Sequence, residues 1–166
     1  MNLQTDFLES PIGQIQLVAY QEAVVLLDFA DNTERIKKLL EKRFGTYTLE
    51  NQKLPWTTTV QQYFVGQLEA LHDIPTDTGG TAFQQSVWQT LLKIPMGRTW
   101  SYLDVAKFIG KPSATRAVGM TNGLNPISLI LPCHRVIGAN GKLTGYAGGM
   151  ERKRWLLEHE AKGLFA

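Results

Sequence analysis

Apolar residues alternate with polar ones near the start of the chain and then recur at helical spacing. The alternation at Ile15, Leu17 and Ala19, followed by an apolar run at residues 23–29, predicts two paired β-strands. Two amphipathic helices are predicted next, from apolar residues three or four positions apart. Their apolar positions are Ile36, Leu39, Leu40 and Phe44 in the first helix and Val60, Tyr63, Phe64, Leu68 and Leu71 in the second. The first half is therefore predicted to be a small α/β domain.

The second half carries a mainly helical pattern that glycine and proline interrupt. The spacing of Phe83, Val87, Leu91 and Ile94 predicts a helix that ends before Pro95. Between the two halves, residues 75–80 have the composition of a linker. We therefore predict an N-terminal domain at residues 1–78 and a C-terminal domain at residues 79–166. The predicted fold class is mixed α/β (α+β), with a mostly helical second domain.

Two short helices around a glycine-containing break follow. Ser101 and Asp104 have the spacing of a capping box, and residues 110–112 (Gly-Lys-Pro) end that helix. Ser113 is predicted to cap a second helix at residues 114–119. This pattern is typical of a helix-turn-helix, although many helical hairpins of this kind bind nothing.

Charge is distributed unevenly between the two halves. Residues 1–79 contain six Lys or Arg and 11 Asp or Glu, whereas residues 80–166 contain 11 Lys or Arg and four Asp or Glu. The basic second half indicates a polyanion partner, but a solvated basic surface would give the same count. No apolar run approaches the ~18–20 residues that span a bilayer, and the N-terminus lacks a basic leader segment. We therefore expect a cytoplasmic protein without a membrane partner.

Cys133 is the single cysteine in the chain, so it cannot form an internal disulfide. It is either an inert core residue or a reactive thiol with a base nearby. His134 could be that base, directly or through a water molecule, and Glu160 is the best candidate for the carboxylate that orients the imidazole. The alternative for Glu160 is a solvated position at the end of a helix. The apolar run at residues 129–131 predicts a short buried strand, or an equivalent buried segment, that delivers Cys133 to a cavity wall.

The second helix of the helix-turn-helix has small residues around one long cation, Arg116. Such a slim face permits close approach to a duplex, where an inserted side chain can replace a base that leaves the stack. A tightly packed core helix with Arg116 at its rim is the alternative. Farther along, the glycine-rich loop at residues 145–149 could wall a flat, base-sized pocket, with Tyr146 stacking on the base.

Several ordered motifs in the second half resemble the O6-alkylguanine-DNA alkyltransferases, the methylated-DNA–protein-cysteine methyltransferases, especially their constitutive bacterial form. The resemblance covers residues 80–163, and the first half matches only in size and element order. The motifs are Arg116-Ala117-Val118-Gly119, Asn125-Pro126, Pro132-Cys133-His134-Arg135-Val136, Tyr146-Ala147-Gly148-Gly149 and Trp155-Leu156-Leu157-Glu158-His159-Glu160. The resemblance implies an RNase H-like N-terminal domain and single-turnover transfer of an alkyl group to Cys133 from O6-alkylguanine in DNA, with O4-alkylthymine as a second candidate substrate.

The resemblance also implies a role for individual residues. Cys133 is the acceptor that His134 and Glu160 activate through water, Asn125 is a hinge, and Tyr102 protonates the departing base. Arg116 replaces the flipped nucleotide, Tyr146 and its loop line the pocket, and Lys153 supports the cysteine backbone. The implied substrate and double-stranded DNA contacts are Ser113, Ala114, Thr115, Arg116, Ala117, Gly119, Arg135, Tyr146, Ala147, Gly148 and Lys153.

The chain departs from the family pattern in two ways. Ala147 stands where many relatives have Ser, so a side-chain hydrogen bond to the base oxygen is lost and a change in substrate preference is expected. A single cysteine cannot supply the structural zinc site of some relatives, so neither metal nor cofactor is expected. The protein is expected to act as a monomer. A non-enzymatic alkylguanine sensor, a Cys-His-Glu hydrolase and a helix-turn-helix regulator are the alternatives, and each leaves Cys133 or Arg116 unexplained.

Overall fold

A computed structural model describes residues 1–165, which divide into two compact units, Met1–Gly79 and a second unit that begins at Gly80. This break falls one residue after the predicted boundary. Both helices and strands are present, and the predicted mixed α/β class is confirmed. Within residues 1–165, no helix combines the length and apolar character that a bilayer crossing requires.

The first unit contains a four-stranded sheet. Its strands are β1 (Asn2–Leu8), β2 (Ile15–Tyr20), β3 (Ala23–Phe29) and β4 (Thr48–Asn51). The order is β3-β2-β1-β4, with β2 antiparallel to both neighbours and β4 parallel to β1. The two predicted strands are β2 and β3. The sequence pattern missed β1, because its inward face includes the polar Thr5 beside Leu3, and it missed β4, which is exposed along its whole length.

Two helices follow the strands of the first unit. In α1 (Thr33–Phe44), the buried residues Ile36 and Leu40 belong to one core cluster with apolar residues of the sheet. The second predicted helix is wrong as a single element. It divides into α2 (Thr57–Phe64) and a 3-10 helix at Leu68–Asp73. Gly66 between them has φ +107°, a backbone conformation that interrupts an α-helix and that glycine adopts readily.

The second unit is mostly helical, with one short two-stranded sheet. Its elements are α3 (Ala82–Leu91), β5 (Trp100–Ser101), α4 (Tyr102–Phe108), α5 (Thr115–Gly123), β6 (Val136–Ile137) and α6 (Met150–Phe165). The predicted helix through Ile94 ends earlier, at Leu91, and Ile94 is buried in the turn that follows. Thr81 and Gln84 form a capping box at the start of α3.

The helix-turn-helix consists of α4, a tight connection and α5. Ser101 caps α4 by accepting from the Asp104 backbone N–H at 3.0 Å, and the Asp104 carboxylate accepts in return from the Ser101 N–H at 2.9 Å. Gly110 has φ +75° and allows the chain to turn. The prediction that Ser113 caps α5 is wrong: Ser113 lies in a 3-10 turn at Pro112–Ala114, and α5 begins at Thr115.

Two long-range contacts position α4 and α5 in the second unit. The Trp88 indole N–H on α3 donates to the Thr121 carbonyl on α5 at 2.9 Å. Strand β5 pairs in parallel with β6, with Trp100 opposite Val136. Because β5 leads into α4 and β6 follows Cys133, this pairing brings the start of the helix-turn-helix next to the cysteine segment.

Candidate active site

Asn125 closes the loop that leads to Cys133. Its side chain is fully buried, its Nδ2 donates to the Leu131 carbonyl at 2.8 Å, and its Oδ1 accepts from the Ile127 N–H at 3.0 Å. Of the two forms predicted for residues 129–131, the strand is wrong and the equivalent buried segment is present. These residues form a buried turn, and Leu129 has φ +74°, a conformation that costs a non-glycine residue energy. The Asn125 bonds hold this turn closed.

Cys133 begins a 3-10 turn, Cys133–Arg135, whose three side chains are all buried. Cys133 itself is 5% exposed. Its backbone carbonyl accepts a hydrogen bond of 3.4 Å from Nδ2 of Asn122 on α5. The cysteine backbone is therefore tied to the second helix of the helix-turn-helix.

His134 and Glu160 form the buried pair that the sequence predicted. His134 Nε2 lies 2.9 Å from Glu160 Oε2, and the two side chains are 0% and 1% exposed. Among the described residues, Nδ1 of His134 has no hydrogen-bond partner. The solvated position considered for Glu160 is thereby excluded. Since one ring nitrogen is held by the carboxylate, the other remains able to exchange a proton with a group or a water molecule.

Arg135 is buried and not placed to contact DNA, which corrects its predicted role. Its Nε donates to Glu160 Oε1 at 2.8 Å, and its Nη2 donates to Oε2 at 3.0 Å, so the guanidinium binds the carboxylate in a bidentate manner. The same side chain donates to the Ile94 carbonyl at 3.0 Å and to the Met96 sulfur at 2.9 Å. Arg135 is thus a structural partner of Glu160.

The charge state of Glu160 follows from these contacts. Burial alone raises the pKa of a carboxyl group, but the charges and hydrogen bonds of His134 and Arg135 outweigh it and hold the pKa of Glu160 well below its ordinary value of 4.5. Glu160 is therefore ionised at neutral pH. An ionised Glu160 is placed to stabilise positive charge on the His134 imidazole.

Lys153 on α6 is a second buried charge beside Cys133. Its side chain is 0% exposed, and its Nζ donates to the Val136 carbonyl at 2.6 Å and the Thr144 carbonyl at 2.7 Å. Burial lowers the pKa of Lys153 from 10.5 to about 8, and attraction to the Cys133 thiolate acts in the opposite direction. The predicted support of the cysteine backbone is indirect, since Lys153 fastens the segments that follow Cys133. Its charge favours the thiolate.

The lowered pKa of Lys153 predicts a specific dependence of stability on pH. Between about pH 8 and pH 10.5 the unfolded chain binds a proton at Lys153 that the folded chain does not bind, so this residue adds to the free energy of unfolding as pH rises. Denaturant titrations of wild type and Lys153→Met across this window should diverge by up to about 3 kcal/mol. Lys162→Met, an exposed change on the same helix, should follow wild type. Parallel curves for wild type and Lys153→Met would contradict the assignment.

The inward face of α6 is narrow. Of residues 155–157, only Leu156 is fully buried, and Trp155 and Leu157 are half-buried. The fully buried stripe runs through Lys153, Leu156 and Glu160, at the helical spacing of three and four residues. One helix thus supplies both the cation and the carboxylate of the site.

Tyr102 and Tyr146 approach the site from different elements. Tyr102 is the first residue of α4, and its hydroxyl lies 3.1 Å from Thr144 Oγ1. A Cβ at Gly119 on α5 would lie 3.8 Å from the Tyr102 ring, so the ring packs against that glycine. Tyr146 is 8% exposed, and its ring meets the His134 ring edge-on at 6.5 Å between centroids. Both tyrosines therefore lie close to the catalytic candidates.

The remaining predicted contact residues lie on the helix-turn-helix and the following loop. Arg116 and Ala117 are exposed on α5, and Gly119 is half-buried. The alternative of a core helix is excluded for this face. The other predicted contacts are also at least partly accessible. Ser113 is exposed, and the half-buried ones are Ala114, Thr115, Ala147 and Gly148.

Asn122 and Thr144 are site residues that the sequence analysis missed. Asn122 is a polar residue on the buried face of α5, only 4% exposed, and this position is the signal that could have identified it. Thr144 gave no such signal, because its contacts with Tyr102 and Lys153 are long-range. Within the described part of the chain, no three His, Cys, Asp or Glu side chains cluster as metal ligands. The assembled groups are those of nucleophilic chemistry at sulfur.

Comparison with known proteins agrees with this geometry. Residues 82–162 match the family model for the 6-O-methylguanine DNA methyltransferase, DNA binding domain. The chain is 39% identical over 165 residues to the methylated-DNA–protein-cysteine methyltransferase of Shigella flexneri, covering 96% of each chain. It is similar to a crystal structure of the Mycobacterium tuberculosis O6-methylguanine methyltransferase, with 41% identity, a TM-score of 0.81 and 99% of each chain covered.

A further solved structure is M. tuberculosis OGT in complex with DNA, which is 40% identical with a TM-score of 0.75 and covers 96% of this chain and 94% of that one. The similarity to these proteins extends through both units of the chain. The chain has a buried thiol next in sequence to the buried His134–Glu160 pair, and the buried Lys153 interacts with that thiol. It is also 39% identical to the S. flexneri relative over nearly its full length. The chain therefore belongs to the methylated-DNA–protein-cysteine methyltransferase family.

Proposed function

We propose that this protein repairs double-stranded DNA by transferring the alkyl group of O6-alkylguanine to the sulfur of Cys133, in a reaction that occurs once per molecule. The observation that carries the proposal is the buried Cys133 beside the His134–Glu160 pair, in a chain of this family. Because thiol, base and carboxylate all belong to one chain, a monomer is sufficient for the reaction.

Activation of the thiol begins at His134. Its Nδ1 takes the Cys133 proton through a bridging water molecule, while Nε2 remains against Glu160 at 2.9 Å. The ionised Glu160 stabilises the resulting imidazolium, and Arg135 keeps the carboxylate in place. The Lys153 ammonium lowers the energy of the thiolate that remains.

Transfer is a displacement at carbon. The thiolate attacks the alkyl carbon, a carbon–sulfur bond forms, the bond from that carbon to O6 breaks, and the guanine takes a proton. Tyr102 supplies that proton at a ring nitrogen, and its hydroxyl is held by Thr144 Oγ1 at 3.1 Å. The proton released by Cys133 replaces the one that Tyr102 gives to the guanine. The reaction therefore needs no other reagent. A thioether is stable in water, so the alkyl group stays on Cys133 and the protein is consumed.

Access to the base requires that the nucleotide leave the duplex. Arg116, exposed among small residues on α5, fills the space that the base vacates. The remaining contacts of this face are with the DNA backbone, from residues 113–119. Asn125 fixes the geometry between α5 and the cysteine turn, because it bridges the end of the helix to Leu131.

The loop after β6 closes the pocket around the everted base. Tyr146 stacks against the base, and Ala147 and Gly148 present backbone N–H groups to O6. Ala147 has no side-chain hydroxyl to add to this contact, so we infer an altered preference among alkyl groups. We place the protein in the cytoplasm, since a reducing compartment keeps the single thiol reactive.

The test is intact-mass analysis after incubation with a duplex that contains O6-methylguanine. We expect each protein molecule to gain one methyl group in place of a hydrogen atom, and peptide analysis to find it on Cys133. Product should stop at one equivalent of protein. Cys133→Ala should gain nothing, and Cys133→Ser controls for the shape of the site. Multiple turnovers, or methylation that persists in Cys133→Ala, would overturn the proposal.

A further inference from the structure

Asn122 has an open hydrogen-bonding atom next to the reactive cysteine. The side chain lies on α5 and is 4% exposed. Its Nδ2 donates to the Cys133 carbonyl at 3.4 Å, while its Oδ1 is buried and accepts no hydrogen bond from the described residues. Buried acceptors are nearly always satisfied, so an open one at a reaction centre points to a missing donor.

The orientation of the Asn122 amide is set by its neighbour. An amide nitrogen facing the Cys133 carbonyl donates to it, whereas the reversed amide would place two oxygens together. The atom left open is therefore an acceptor.

We propose that Asn122 Oδ1 accepts a hydrogen bond from the 2-amino group of the everted O6-alkylguanine, which makes Asn122 a residue that selects the base. The inference rests on the proposed function. O6-alkylation removes the N1 hydrogen, so O6, N1 and N3 of the base are all acceptors. The 2-amino group is the one donor on the edge that a protein can read, and it is the group that an open acceptor matches.

The same atom disfavours alkylated thymine. O4-alkylthymine has no amino group, and its O2 atom would meet Asn122 Oδ1 as one acceptor against another. A substrate that leaves a buried polar atom of the protein without its hydrogen-bond partner reacts much more slowly than one that supplies the partner. We therefore expect this protein to prefer O6-alkylguanine over O4-alkylthymine, in part through Asn122.

The experiment compares single-turnover rates on two duplexes that differ in one group. One contains O6-methylguanine, and the other contains O6-methylhypoxanthine, which lacks the 2-amino group. Wild type should react faster with O6-methylguanine. Asn122→Leu has a similar volume and no acceptor, and it should reduce the ratio of the two rates by about 5- to 30-fold, mainly through the guanine substrate.

Two further variants separate recognition from support of the cysteine. Asn122→Asp keeps an acceptor but loses the donor to the Cys133 carbonyl, so its preference for O6-methylguanine should remain even if both rates fall. Gln89→Leu, an exposed amide-to-leucine change on α3, should behave as wild type. If Asn122 only supports Cys133, Asn122→Leu will slow both substrates equally and keep the ratio, which overturns the inference.

The outcome for wild type distinguishes this inference from the proposed function. Absence of methyl transfer to Cys133 from either duplex would overturn the proposed function. Transfer from both duplexes at equal rates would leave that function intact and overturn the role of Asn122.

Discussion

Glu160→Gln is expected to lower the free energy of unfolding by about 3–5 kcal/mol, because it leaves the buried Arg135 guanidinium without its counter-charge. The folded fraction should also transfer methyl groups to Cys133 about 100-fold more slowly or worse, since the imidazolium of His134 loses its stabilising carboxylate. Denaturant titration measures the first effect. Single-turnover transfer, assayed at low temperature where the variant remains folded, measures the second.

Glu158→Gln is the matched control, since Glu158 is exposed on the same helix. It should change stability by no more than about 0.5 kcal/mol and leave the transfer rate unaltered. A folded Glu160→Gln protein that transfers at the wild-type rate would show that the His134–Glu160 pair has no part in activating the thiol. Loss of stability without loss of rate would assign Glu160 to the fold alone.

The same substitution should change the response to acid. Since the folded pKa of Glu160 lies below its ordinary value of 4.5, the stabilisation it provides is complete above about pH 4.5 and is lost as pH falls below that value. Glu160→Gln has no such proton to bind. The difference in unfolding free energy between wild type and variant should therefore shrink as pH falls through this range.

Arg116→Ala is expected to slow repair of duplex O6-methylguanine by about 100-fold, because base eversion costs a few kcal/mol and the inserted side chain offsets part of that cost. Transfer from free O6-benzylguanine should be nearly unchanged, since a free base needs no eversion. Arg116 is exposed on α5, so its removal should not affect the fold. Single-turnover rates on the two substrates measure the contrast.

Lys107→Ala controls for the loss of one positive charge, because Lys107 is exposed on α4 of the same helix-turn-helix. It should weaken duplex binding slightly, and added salt should mask the effect. The effect of Arg116→Ala should persist at raised salt. Equal losses on duplex and free base would remove the insertion role from Arg116 and leave it as an ordinary basic residue.

Local patterns in the sequence were sufficient to predict several features of the fold. Alternation predicted β2, the apolar run at residues 23–29 predicted β3, helical spacing predicted α1 and α3, and the Ser101–Asp104 spacing predicted the cap of α4. These are contacts between residues close in sequence, so their signal lies within a short window. The buried pairing of His134 with Glu160 was predicted across 26 residues, because an inward carboxylate on a helix requires a partner.

Contacts between distant segments produced the features that the sequence analysis missed. The apolar run at residues 129–131 fits a strand, yet the bonds of Asn125 close it into a turn with Leu129 at positive φ. Arginine is a residue type that often contacts DNA, but Glu160 and the Ile94 carbonyl hold Arg135 in the interior. A charged side chain can be a surface group or one member of a buried pair. The sequence around it does not show which, because its partner comes from a distant segment that only folding brings close.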